Sequence, residues 1–116
     1  MKLGVIELKF AEIIWNNEPL YSGELVKYAA DELDWKKSTT YTVLKKLCER
    51  GIFQNINGVV TSKISKDDYN AVQSEEFVND TFGGSLPAFI AAFTSRNKLS
   101  EKDILELVEL IMQNQK

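Results

Sequence analysis

At 116 residues, 44% hydrophobic and 27% charged, the chain has the size of one globular domain, or of a small domain with a helical extension, and is too apolar for wholesale disorder. It holds no histidine and one cysteine, Cys48, which removes the commonest general base, the usual catalytic triads and zinc sites, and any internal disulfide. The net charge of −3 looks wrong for a nucleic-acid binder, but residues 1–70 carry ten Lys or Arg against ten acids while residues 71–116 carry four against seven, so the acidity is concentrated in the second part.

No apolar run approaches the roughly 20 residues that cross a bilayer. The N-terminus is amphipathic, which, with the lone cysteine, leads us to expect a cytoplasmic protein. No cofactor or metal is expected. No carboxylate pair, activated nucleophile or phosphate loop stands out, so an enzyme is not expected either.

Taken in order, Leu3 to Asn16 places Leu3, Ile6, Phe10, Ile13 and Ile14 at helical spacing and predicts a first helix, its end anchored by Trp15. Asn16 to Pro19 breaks it, and Leu20-Tyr21 reads as a very short extended segment. Ser22 is the expected N-cap of a second helix running to about Leu33. After a short connection comes Trp35 to Gly51, the most informative stretch of the chain. Thr40, Val43, Leu44 and Leu47 fall on one side of a helix, and Ser38, Tyr41, Thr42, Lys45 and Glu49 on the other.

An ordinary solvated face alternates acids and bases. This one opens with hydroxyls and is flanked by Lys36, Lys37, Lys45, Lys46 and Arg50 against the single acid Glu49. Short hydroxyl side chains at the start of a helix reach base edges in a major groove, and lysines neutralise phosphates. Two helices joined by a short turn, the second carrying that face, match a helix-turn-helix. Gly51 suits the C-terminal end of the helix, and Cys48, near its buried side, reads as a small core residue.

Ile52 to Ile64 is strand-like on both sides of Asn57-Gly58, a strong hairpin signal because a type I′ turn needs positive φ at both central residues. Three helices and a hairpin make a winged helix, whose short wing offers backbone amides and Lys63 for phosphate contact. Ser65 begins a fourth helix to about Asp80, and Gly83-Gly84 reads as a hinge. Ser85 and Ser100 cap two more helices. Leu86, Phe89, Ile90, Phe93, Ile104, Leu107, Val108 and Ile111 leave them more apolar surface than such a pair can bury, which points to a second copy, and Phe77 and Phe82 just before them are expected to join the same contact.

The order and spacing of three blocks resemble the penicillinase repressor family, the BlaI/MecI/CopY group of bacterial winged-helix repressors, over nearly the whole chain. The blocks are Glu12-Ile13-Ile14-Trp15; Ser38 through Leu47 with Arg50-Gly51-Ile52; and Phe82-Gly83-Gly84-Ser85 with Phe89 through Phe93. The resemblance implies a homodimer that grips double-stranded DNA at an operator, with Ser38, Thr39, Tyr41 and Thr42 at bases and Lys46 at a phosphate. It also implies inactivation by a regulatory protease at Ala92–Phe93, where relatives controlling β-lactam resistance carry asparagine before the phenylalanine. Copper-responsive relatives carry a C-terminal cysteine cluster that this chain lacks.

The expected fold is mostly α with a small β-hairpin: a winged helix-turn-helix over residues 1–70, then a C-terminal helical dimerisation region over 71–116. Two functional readings follow from the residues. One is a dimeric transcriptional repressor on a palindromic operator. The other is a winged-helix protein-interaction adaptor whose hydroxyl and lysine face docks an acidic partner.

Overall fold

A computed structural model describes residues 2–115, and its first helix, α1, spans Val5–Asn17. It starts two residues later than the apolar spacing predicts. Gly4 is the N-cap, and the Glu7 carboxylate accepts from its backbone N–H at 3.0 Å, so the acid closes the helix end. Leu3 lies outside the helix yet is buried, its N–H donating to the Tyr69 hydroxyl at 2.8 Å. Trp15 anchors the other end, as expected: its indole N–H donates to Ile64 O, and its ring lies 5.5 Å from Phe53 and 5.6 Å from Tyr69.

The second helix, α2, runs Ser22–Leu33, following the two-residue strand β1, Leu20–Tyr21. Ser22, the expected cap, does not cap it. Tyr21 is the N-cap, with Glu24 accepting from its N–H, and Ser22 is otherwise engaged: its N–H goes to Gly58 O and its hydroxyl accepts from Tyr41. Asp34, at φ 57°, turns the chain out of α2.

The third helix, α3, spans Lys37–Glu49 with Lys36 as N-cap, so Ser38 lies in its first turn. At its far end Gly51 N donates to Cys48 O and Ile52 N to Leu47 O, a Schellman closure whose left-handed residue is Gly51 at φ 82°. The hairpin follows as β2, Phe53–Ile56, and β3, Val59–Ser62, with Asn57 and Gly58 at φ 53° and 82° as the type I′ turn requires. β3 is the central strand of an antiparallel sheet ordered β1-β3-β2, with Leu20 opposite Val60 and Phe53 opposite Ser62.

The core joins α1 (Phe10, Ala11, Ile13, Ile14), α2 (Leu25, Ala29) and α3 (Leu44, Leu47) to Leu20, Ile52, Phe53 and Val60 of the sheet region. α4, Lys66–Phe82, begins with the Ser65 hydroxyl accepting from Asp68 N and ends at Gly83 and Gly84, both in the left-handed region. α5 spans Leu86–Thr94 and α6 Glu101–Gln113, their first turns closed by Ser85 and Ser100. Two compact units result, Met1–Ser74 and Glu75–Lys116, with the division inside α4. Among the described residues no helix is long and apolar enough to cross a membrane.

The second unit is built differently. Every buried residue among those described lies between Leu3 and Tyr69, so this unit has none. Four phenylalanines, Phe77, Phe82, Phe89 and Phe93, pack edge to face or tilted, with neighbouring centroids 5.6–6.3 Å apart. Beside them a cleft of about 370 Å³ opens between α5 and α6, lined by Phe89, Ile90, Phe93, Leu99, Leu107 and Leu110 together with Thr94, Asp103 and Glu106. Leu86, Ile104, Val108 and Ile111 are exposed, and so are Leu105, Leu110 and Met112, which the predicted apolar face left out. The apolar arc of α6 therefore covers more than half its circumference, more than one neighbouring helix can shield.

Candidate nucleic-acid interface

Three buried residues set the orientation of α3. Thr40, Leu44 and Leu47 point into the core, Thr40 with its hydroxyl donating to Lys36 O at 3.1 Å so that no polar atom is orphaned. The opposite side then carries Ser38, Thr42, Lys45 and Glu49, all exposed, with Thr39 exposed alongside. Lys36 and Lys37 are exposed at the N-terminal end. Among the described residues, none of Lys36, Lys37 and Lys45 has an acid within 4.0 Å.

Two tethers bracket this face. On the α2 side, the half-buried Tyr41 packs against the core and donates its hydroxyl to Ser22 Oγ at 3.0 Å. Expected as an outward polar residue, it is instead a strut between α3 and the start of α2. On the α1 side, Glu7 Oε2 lies 3.2 Å from Lys46 Nζ and 3.4 Å from Arg50 Nη1, while Arg50 Nη2 donates to Lys2 O. Gly4 N–H first, then Lys46 and Arg50, hold the Glu7 carboxyl below the usual carboxylate range against the opposing pull of burial. Because its folded pKa is depressed, what Glu7 adds to stability is present above the ordinary carboxylate range and is lost as pH falls through the folded value.

The remaining expected contacts are placed less simply. Thr42 donates its hydroxyl to Ser38 O at 2.9 Å, so towards a base it offers lone pairs and a methyl group. That pattern suits an amino group of adenine or cytosine, or the thymine methyl. Lys63 follows β3 directly, and its N–H donates to Ile52 O, which puts it at the root of the hairpin, not beside the tip. The tip itself is Asn57-Gly58, tied to α2 through Gly58 O. Cys48 is half-buried, and desolvation, reinforced by Glu49, raises its pKa and keeps it a thiol.

What the arrangement offers is a convex helix face with hydroxyls first and a lysine at its middle, free of acids until Glu49. No signal in single residues revealed the tethers, since each joins positions far apart in sequence: Ser22 with Tyr41, and Glu7 with Lys46 and Arg50. The model of the family described as penicillinase repressor matches residues 3–113. The chain is 27% identical over 109 residues to a penicillinase repressor from Bacillus licheniformis, covering 90% of this chain and 85% of that one. It is 21% identical over 115 residues to a penicillinase repressor from Staphylococcus aureus, covering 96% and 91%. It is also 22% identical over 109 residues to the methicillin resistance regulatory protein MecI from Staphylococcus aureus strain Mu50, covering 90% and 89%. With the match extending through both units, this chain belongs to the penicillinase repressor family.

Proposed function

We propose that the chain is a transcriptional repressor that binds a two-fold-symmetric operator as a homodimer, with the outward face of α3 in the major groove and α5 and α6 joining the two copies. The observation that carries the reading is the exposed row Ser38, Thr42, Lys45 on a helix whose other side is locked into the core of a winged helix. The unshielded apolar arc of α6 supports the pairing, because isologous contact covers such a surface on both copies at once. The relatives' names, penicillinase repressor and methicillin resistance regulatory protein, fit it. On the same reading, a protease that cuts Ala92–Phe93, both exposed in the last turns of α5, separates α6 from the rest of the chain and relieves repression.

Gel-shift titration of genomic fragments at two salt concentrations tests the proposal. Lys45→Gln is expected to weaken binding to every duplex and to lower the salt slope by about 0.9 for each phosphate that is no longer neutralised. Thr42→Ala is expected to change preference at one base pair, by about 1–3 kcal/mol, and to leave random DNA almost untouched. Affinity at the weak nonspecific level for every fragment would favour the adaptor instead.

A further inference from the structure

We propose that Glu7 is an internal competitor of the DNA backbone, a positioning residue that holds Lys46 away from phosphate and so sets how tightly the α3 face binds any duplex. This rests on the reading of α3 as a DNA-binding helix and adds to it a residue on α1. Glu7 divides its two oxygens: Oε1 accepts from Gly4 N at 3.0 Å and closes α1, and Oε2 faces Lys46 Nζ at 3.2 Å and Arg50 Nη1 at 3.4 Å.

The two cations are not equivalent. Arg50 is 29% exposed and has a second acceptor, Lys2 O at 3.2 Å, so it belongs to the packing of α3 on α1. Lys46 is 61% exposed, its only ion-pair partner among the described residues is Glu7, and it lies at the border of the outward face. Lys46 is thus the cation that can leave. An exposed pair of this kind is weak, while duplex DNA presents a line of phosphates to any nearby cation. When α3 enters the groove, Lys46 either stays with Glu7 or exchanges carboxylate for phosphate, and in both cases the protein gains less than a free lysine would give.

The consequence is specific in sign. Phosphate attraction carries no sequence information, so restraining Lys46 lowers affinity for random DNA as much as for an operator. Glu7 therefore keeps nonspecific binding low at no cost in discrimination. Lys36, Lys37 and Lys45, which have no acid within 4.0 Å among the described residues, remain to hold the backbone.

The test uses the full chain and a duplex of random sequence titrated at two salt concentrations, so it needs no operator. Glu7→Gln keeps an oxygen for Gly4 N and removes only the charge. It is expected to tighten binding by roughly two- to fivefold per recognition helix, the equivalent of one exposed ion pair, and to steepen the salt slope by up to about 0.9. In a Lys46→Gln background the same change is expected to have little effect. Equal tightening in both backgrounds would overturn the proposal, because Glu7 would then act through its long-range field alone. Lys46→Gln and Lys45→Gln give a second check that leaves Glu7 in place: Lys46→Gln is expected to cost less affinity and less slope, and equal losses would overturn the proposal. Absence of binding by every variant to any duplex is a different pattern, which overturns the DNA-binding reading and this inference together.

Discussion

Val108→Asp is expected to turn the chain into a monomer and to lower its affinity for a two-fold operator by about 100-fold or more. Val108 is 53% exposed on α6, so within a single copy the aspartate meets water and costs little. In the proposed dimer each copy presents the same surface, and every substitution counts twice. Burying one aliphatic side chain contributes about 1.5–3 kcal/mol, so losing two gives roughly 3–6 kcal/mol, or about two to four decades in dimer dissociation, before any charge is buried. Leu105, Leu110 and Met112 widen the surface that pairing must cover. Sedimentation velocity reads association, and gel shift on an operator fragment reads affinity. An unchanged association state would remove α6 from the interface, and a wild-type chain that sediments as a monomer with full operator affinity would remove the dimer itself.

The pattern of side chains along the sequence located the helices of the first unit because the apolar stripes there face one core. Phe10, Ile13 and Ile14 of α1 and Leu44 and Leu47 of α3 are buried where their spacing puts them. Asn57-Gly58 was equally legible, since its turn type depends on two φ angles that only a few residues accept. Helix starts were harder. Ser22 looks like a cap by residue type, but its two polar groups are taken by Gly58 and Tyr41, partners 36 and 19 positions away, and Glu24 closes the helix instead. The candidate interface was legible as a face and not as a charge distribution. Lys46 and Lys45 are neighbours of one type, yet one meets Glu7 across 39 positions and the other meets solvent. Lys63 lies five residues beyond Gly58, so its place at the root of the hairpin followed from the turn itself. On α6, Leu105, Leu110 and Met112 fell outside a one-sided apolar stripe because a helix read alone is assumed to have one partner.

Phe10→Ala is expected to destabilise the first unit by about 3–5 kcal/mol and leave self-association intact. Phe10 is fully buried, and its ring lies 5.1 Å from Trp35, the residue that leads into the N-cap of α3. Deleting it removes one of the largest fully buried side chains of the core, where the packed neighbours can close the void only in part. A unit of about 74 residues draws on a stability near the low end of about 5–15 kcal/mol, so most of its margin is lost. Both tryptophans, Trp15 and Trp35, lie in this unit and pack on its core, so their fluorescence follows its unfolding alone while far-ultraviolet circular dichroism follows the whole chain. The urea midpoint by fluorescence is expected to fall by about 2 M. The proposed operator binding is expected to be lost with it, because Ser38, Thr42 and Lys45 keep their direction only while Thr40, Leu44 and Leu47 stay packed. The proposed α5–α6 pairing draws on none of these residues, so association measured by sedimentation persists. Loss of association in parallel with fluorescence would show that the two units fold as one and that dimerisation depends on the winged-helix core.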